Sequence, residues 1–199
     1  MSAAIPLEGE AAAVLDFWFA PPSSPEHGTA HKVWFTKDAV FDDTIRGRFA
    51  ALVEQALRGE LDAWRGEARP ALARIVVLDQ FTRNIFRDTP RAFAGDRQAL
   101  AAASEMVGSR HDETLPPFMR AFVYMPFEHA EGIARQDEAV RLFTRLAATA
   151  PEVASMLEYA HKHRAVIERF GRFPHRNAAL GRQSTAEEIA FLAEPGSQF

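Results

Sequence analysis

Cysteine is absent from the 199-residue sequence. Disulfide bonds, thiolate nucleophiles and cysteine-ligated zinc or iron–sulfur sites are therefore excluded. Long apolar runs are also lacking, since none approaches the ~20 residues that a membrane helix requires. The first residues carry Glu8 and Glu10 instead of the basic start of a signal peptide. We predict a cytoplasmic protein with no membrane partner.

An excess of positive charge is lacking too. Lys and Arg number 23 against 27 Asp and Glu, for a net charge of −4, whereas nucleic-acid binders usually carry a basic surplus. We predict no nucleic-acid partner. The charges are nevertheless uneven, because the stretch from His161 to Arg182 holds six lysines and arginines and one glutamate.

Sustained alternation of apolar and polar residues, the mark of β-strands, is missing from this alanine-rich chain. The sequence therefore predicts an all-α fold of about nine helices in one domain, residues 1–199. Prolines make residues 21–31 the segment that we expect to be mobile, and residues 194–199 are expected to fray.

Capping signals place several helix ends. Asp38 has the position of an N-cap for a helix that ends at Gly59. A third helix begins near Pro70 and continues through apolar positions to Phe81. Ser and Thr before two glutamates, including Thr185 three residues before Glu188, predict a capping box for the last helix.

Proline spacing organises the second half of the chain. Pro126 is expected to open or kink a separate helix over residues 127–135. Two long helices, residues 136–149 and 151–170, are joined so tightly that they should form a hairpin, with Gly171 as the residue that ends the second.

The first polar constellation falls on the third helix and its continuation. Asp79 and Arg83 are four residues apart, as are Gln80 and Asn84, so these side chains form a polar stripe beside an apolar one. One interpretation is a set of side chains that line a pocket. The alternative is an ordinary ion pair with solvated amides at a helix end.

A second constellation surrounds His129. Its spacing to Ile133 predicts an inward-facing histidine, flanked by Glu128 and Glu131. Such a histidine is either a hydrogen-bonded core residue or a general base that a carboxylate orients. The Glu-x-x-His spacing used by di-iron bundles occurs once, at Glu158, so we predict no metal and no cofactor.

The third constellation is a compact turn after the last long helix. Gly171 breaks the helix, and a run of polar residues follows: Arg172, His175, Arg176 and Asn177. Guanidinium groups are planar forks suited to carboxylate or phosphate, so an anionic ligand would fit. The alternative is that these arginines satisfy helix carbonyls and pair with the acidic stretch at residues 128–138.

Taken together, these motifs resemble the DUF924 family of bacterial and eukaryotic proteins. The stretches that carry the resemblance are residues 15–19, 59–64, 78–84, 126–136 and 169–182. The resemblance implies an α–α superhelix similar to tetratricopeptide-repeat proteins, and it implies no reaction. The chain departs from the family pattern at Thr82, where proline is usual, and at Ala130, where serine is usual.

The leading hypothesis is a helical binding module for a small anionic ligand or a peptide carboxylate, because superhelical stacks commonly bind in their concavity. The predicted ligand-binding residues are Asp79, Gln80, Arg83, Asn84, Arg172, His175, Arg176 and Asn177, with Glu128 and His129 beside them.

Two alternatives stay open. One is a hydrolase or transferase with His129 or His175 as general acid/base and Glu128 or Glu131 as the orienting carboxylate. The other is a buried ion-pair network that fixes how the helices dock and holds no ligand. Exposed aromatic residues would favour a homodimer, but exposure is not readable from the sequence.

Overall fold

The computed structural model describes residues 7–197, and these form α-helices, short helical turns and loops, with no strand among them. The all-α prediction is confirmed, while the tetratricopeptide-like stacking stays a prediction. The helices are α1 (Leu7–Phe19), α2 (Ala39–Leu57), α3 (Ala68–Ile75), α4 (Thr82–Ile85), α5 (Asp96–Gly108), α6 (Pro117–Glu128), α7 (Ile133–Ala147), α8 (Ala154–Phe170) and α9 (Ala186–Leu192). None of these helices is both long and apolar enough to cross a membrane.

The described residues divide into two compact units. The first runs up to Arg87 and resumes over Arg91–Pro126; the second contains Asp88–Pro90 and the residues from Phe127 onward. The single domain and the mobility of residues 21–31 stay predictions. The last two residues of the tail expected to fray, 198 and 199, lie outside the described residues.

Aromatic side chains form the centre of the first unit. Trp18 and Phe122 meet edge to face with ring centroids 5.7 Å apart, and Trp18 also contacts Phe81 and Trp34. The indole N–H of Trp34 donates to the carbonyl oxygen of Trp18 at 2.9 Å. Aromatic burial of this size dominates core energetics, so the cluster fixes α1 against its neighbours.

Helix α2 begins as the sequence predicts. The Asp38 carboxylate accepts hydrogen bonds from the backbone N–H groups of Val40 and Phe41, at 2.9 and 3.1 Å. The helix ends at Leu57, and Gly59 follows in the left-handed region with φ +79°. Both predicted ends are confirmed to within two residues.

The predicted third helix contains a change of register. After α3, residues Val76–Phe81 form a π-helical turn that leads directly into α4. The Thr82 hydroxyl donates to the Leu78 carbonyl oxygen at 2.8 Å, within this turn. Gly95 lies so close to that carbonyl that an added Cβ would be 2.1 Å from its oxygen. The π register therefore depends on a neighbouring backbone as well as on local sequence.

The prediction that Pro126 opens a separate helix over residues 127–135 was wrong. Helix α6 continues through Pro126 to Glu128, and α7 begins only at Ile133. The flanking Met125 and Phe127 are 7% and 2% exposed. Their burial holds the last turn although proline removes one backbone hydrogen bond.

This correction also changes the environment of His129. The residue lies in the turn after α6 and is half-buried, so helical spacing does not relate it to Ile133. Ile133 itself is 42% exposed. The inference that His129 shares an inward helical face with Ile133 was therefore wrong.

The second unit contains the predicted hairpin. Helices α7 and α8 pack against each other and are joined by the turn Pro151–Val153. Gly171 ends α8 in the left-handed region at φ +68°, and its N–H donates to the Ile167 carbonyl oxygen at 2.8 Å. The core of this unit gathers around Phe173, which is fully buried beside Val166 and Ile167.

Candidate functional site

A buried carboxylate lies at the centre of the π-helical turn. Asp79 is 1% exposed, and its Oδ2 accepts a hydrogen bond from Gln80 Nε2 at 2.6 Å. Arg83 Nη1 lies 3.1 Å from Asp79 Oδ1 and 2.8 Å from Asp96 Oδ1. Three residues of the first polar constellation thus form one contiguous cluster with Asp96, which we call the Arg83 cluster: Asp79, Gln80, Arg83 and Asp96.

Of the two terminal nitrogens of the Arg83 guanidinium, only Nη1 makes hydrogen bonds. Its Nη1 donates to the Asp79 carbonyl oxygen at 2.7 Å and to Asp96, whereas its Nη2 is buried and has no hydrogen-bond partner. Burial lowers the pKa of Arg83, but the carboxylates of Asp79 and Asp96 outweigh it and keep that pKa above its usual value. Arg83 is therefore a fixed cation with one donor group unused.

Asn84, the fourth predicted residue of this stretch, belongs to a different set of contacts. Its Nδ2 donates to Asp42 Oδ1 at 2.7 Å, and Arg87 binds the same carboxylate at 2.8 and 2.9 Å. Burial raises the pKa of Asp42, yet the hydrogen bonds from Arg87 and Asn84 lower it below its usual value. These contacts tie α4 to the first turn of α2.

In the second unit, the guanidinium of Arg172 binds a carboxylate of the same chain. Its Nε and Nη2 donate to the two oxygens of Glu188 at 2.6 and 2.8 Å. Asn177 Nδ2 donates to Ser184 Oγ at 3.0 Å and approaches Glu188 at 3.3 Å. Glu188 also closes the predicted capping box with Thr185, which is confirmed.

Glu188 makes the stability of this unit depend on pH. The hydrogen bond from Arg172, joined by the backbone N–H of Thr185, lowers the pKa of Glu188 to about 2 although burial opposes it. Because the folded-state pKa lies below the unfolded value, the stabilisation is fully present above pH ~4.5 and is lost as the pH falls toward 2. Denaturant unfolding across this range should show a falling free energy of unfolding, and the fall should be shallower in Glu188→Gln. Equal slopes in the two proteins would contradict the assignment.

His175 and Arg176 lie on the same aromatic ring. The Arg176 guanidinium carbon is 4.5 Å from the centroid of the Phe173 ring, and the His175 ring is 5.6 Å from it. Arg176 is only 5% exposed, while His175 is half-buried. A cation over an aromatic face in a desolvated site contributes about 2 kcal/mol, so Arg176 has a packing role in this turn.

The carboxylates expected to orient His129 have other partners. Glu128 Oε1 lies 2.9 Å from His163 Nδ1, and both side chains are buried. Glu131 is bound by Arg182 at 2.7 and 2.9 Å, and it accepts from the backbone N–H of Phe173 at 2.8 Å. Arg182 lowers the pKa of Glu131 against the effect of burial.

Two of these partners are additions to the predicted site. No sequence pattern singles out His163, since it lies two residues from His161 and the two side chains point to different faces of a helix. Arg182 is part of the basic stretch from His161 to Arg182 and of the family resemblance, but neither pattern indicates that it binds Glu131. Their contacts with Glu128 and Glu131 join positions that are far apart in the chain.

A family model described as a bacterial protein of unknown function, DUF924, matches residues 14–196. The chain belongs to the DUF924 family. A solved structure of a protein of unknown function from Agrobacterium tumefaciens is 40% identical to it, with a TM-score of 0.80. That match covers 94% of this chain and 98% of the other. No curated protein matches the chain.

The resemblance led us to expect other residues at two positions of this DUF924 chain, Thr82 and Ala130. Thr82, where we expected proline, is fully buried, and its hydroxyl donates to the Leu78 carbonyl oxygen. Ala130, where we expected serine, accepts a hydrogen bond from Gln136 Nε2 at 2.8 Å through its backbone carbonyl oxygen, which any residue would supply. The Thr82 hydroxyl therefore supports the π-helical turn.

The eight predicted ligand-binding residues of the DUF924 chain fall in both units. Asp79, Gln80 and Arg83 form one cluster in the first unit, with Asn84 beside them on Asp42. In the second unit, contacts with Glu188 and Phe173 account for the other four: Arg172, His175, Arg176 and Asn177. Within residues 7–197 there is no group of three or more His, Asp and Glu side chains placed to hold a metal ion.

Proposed function

We propose that this DUF924 protein is a helical binding module for a small carboxylate, free or at the end of a peptide, and that Arg83 is the residue that binds it. The observation that carries the proposal is the buried Nη2 of Arg83, a charged donor without a hydrogen-bond partner. Leaving such a donor unsatisfied costs roughly 1–3 kcal/mol or more. A ligand oxygen at this position would remove that cost.

The rest of the Arg83 cluster supports this role. Asp79 and Asp96 both contact Nη1, so they orient the guanidinium while leaving Nη2 for the ligand. Gln80 holds the Asp79 carboxylate in turn. Since two carboxylates already approach Arg83, a singly charged carboxylate is repelled less than a dianionic phosphate.

The backbone conformation at the Arg83 cluster also supports a binding role. π-Helical turns are rare and occur frequently at functional sites. Here the turn Val76–Phe81 carries both Asp79 and Gln80. A buried ion pair alone stabilises a fold little, since desolvation offsets its Coulombic gain. The π-helical turn and the burial of its charged residues are therefore better explained by a binding role than by stability.

In the Arg-rich turn of the second unit, we propose a structural role for two residues, Arg172 and Asn177. Arg172 and Asn177 converge on Glu188, which is 2% exposed and lies in the first turn of α9. This arrangement favours the ion-pair network over direct ligand contact for these two residues. A ligand contact by His175 or Arg176 stays a prediction, as does acid–base catalysis by His129 or His175.

A thermal-shift screen against carboxylates and phosphates tests the binding role of Arg83. A ligand at a hundredfold excess over its Kd stabilises the folded protein by about 2.7 kcal/mol, which raises the Tm of a chain of this size by roughly 5–10 °C. We expect monocarboxylates to produce such a rise in the wild type. The rise should disappear in Arg83→Gln.

The matched control is Arg91→Gln. Arg91 also contacts a carboxylate, that of Glu54, but its side chain is 52% exposed and lies outside the Arg83 cluster. This variant should keep the ligand-dependent rise in Tm. Circular dichroism establishes that both variants are folded. A rise of the same size in Arg83→Gln would contradict the assignment of Arg83.

A further inference from the structure

The first unit also contains a cavity of about 90 Å³ that shares no residue with the Arg83 cluster. Its lining includes Arg65 and Gly66 before α3, Arg74 within α3, and Ser109 and His111 after α5. A cavity of this volume exceeds what one water molecule needs and accepts a ligand of a few heavy atoms.

Arg74 is the buried arginine that lines the cavity. This residue is 6% exposed, and its Nε has no hydrogen-bond partner. Its Nη2 lies 3.1 Å from Asp62 Oδ1, but the Asp62 side chain is 62% exposed, so water screens this pair. A guanidinium buried to this degree ordinarily has a full set of partners.

A second guanidinium lines the same cavity. Arg65 Nε lies 3.4 Å from Glu105 Oε2 and 3.7 Å from Asp62 Oδ1, and all three side chains are about half exposed or more. Burial lowers the pKa of Arg74 and the nearby charge of Arg65 lowers it further, while the carboxylates of Asp62 and Glu105 oppose this shift. Asp62 Oδ1 therefore lies near both cations, but it is on an exposed side chain and leaves Arg74 Nε without a partner.

We infer that this cavity binds a small oxyanion of the phosphate class, held between Arg65 and Arg74. Guanidinium forks match the geometry of phosphate oxygens. An anion in the cavity would satisfy Arg74 Nε, which the exposed carboxylate of Asp62 leaves unpaired, and would be attracted by both guanidiniums. The site differs from the Arg83 cluster in the exposure of its carboxylates: Asp62 and Glu105 are 62% and 52% exposed, so water screens their repulsion of an anion, whereas Asp79 is 1% exposed.

Backbone amide NMR of the full chain tests this site, with inorganic phosphate as the probe and sodium chloride at equal ionic strength as the reference. We expect saturable shifts of the Gly66, Ser109 and His111 signals with phosphate that chloride does not reproduce. Methyl phosphate, titrated in parallel, distinguishes the two sources of the ligand. Tighter binding of methyl phosphate would identify a phosphomonoester, and tighter binding of inorganic phosphate the free ion.

Two variants and one control complete the experiment. Arg65→Gln changes a half-exposed side chain and should remain folded, with phosphate affinity about tenfold lower. Arg74→Gln should weaken binding at least as much. Arg58→Gln, whose side chain is 56% exposed and pairs with Glu60, should bind as the wild type does. Unshifted cavity signals, or equal affinity in Arg65→Gln and the wild type, would overturn the inference. Neither result bears on carboxylate binding at Arg83.

Discussion

Replacing Gly95 with alanine is expected to lower the free energy of unfolding by about 3 kcal/mol, at the upper end for overpacked sites. The added Cβ would lie 2.1 Å from the Leu78 carbonyl oxygen and 2.9 Å from its carbon, both backbone atoms that cannot rotate away. For a chain of this size the Tm should fall by roughly 6–12 °C. Differential scanning calorimetry measures the change.

The matched control for this prediction is Gly47→Ala. Gly47 lies exposed in the interior of α2, with nothing within 4 Å of an added Cβ. Alanine there should raise the free energy of unfolding by about 0.5–1 kcal/mol through helix propensity. If Gly95→Ala were as stable as Gly47→Ala, the close approach of Gly95 to the π-helical turn would be refuted.

Replacing Asp42 with alanine is the second large effect, with an expected loss of about 3 kcal/mol. The substitution removes three hydrogen bonds, two from Arg87 and one from Asn84. Removing one member of a buried ion pair costs about 3–5 kcal/mol, and the lower end applies because the Arg87 side chain is 30% exposed. Urea unfolding at pH 7 gives the value.

The neighbouring Asp43 provides the comparison for Asp42. It also contacts an arginine, Arg46, but its side chain is 72% exposed. Asp43→Ala should change the free energy of unfolding by no more than about 0.5 kcal/mol. Similar losses in the two variants would show that the ties from Asp42 to α4 are not what stabilises this region.

The features that the sequence predicted correctly are those that depend on near neighbours in the chain. The N-cap at Asp38, the left-handed Gly171 and the capping box of Thr185 and Glu188 each involve residues within a few positions of one another. Such local hydrogen bonds follow from residue type and spacing alone. Alanine content and the lack of alternation were sufficient for the all-α class.

The errors and omissions concern contacts between distant residues. Nothing in the sequence near Leu78 shows that Gly95 will approach its carbonyl, so the apolar spacing predicts ordinary helix where the structure has a π-helical turn. The carboxylate partners of the arginines were equally hidden: Glu131 and Arg182 are 51 positions apart, and Asp42 and Arg87 are 45 apart. The composition indicates that many arginines will meet carboxylates, but only the fold selects the pairs.

Side-chain NMR of protein labelled with ¹⁵N-arginine tests the central claim most directly. The guanidinium signals of Arg83 are observed while sodium acetate is added, with sodium chloride at equal ionic strength as the reference. The account predicts a saturable shift of the Arg83 signals with acetate alone, while the exposed Arg91 responds equally to both salts. Arg83 signals that respond no differently to acetate than to chloride would contradict the proposal that Arg83 binds a carboxylate.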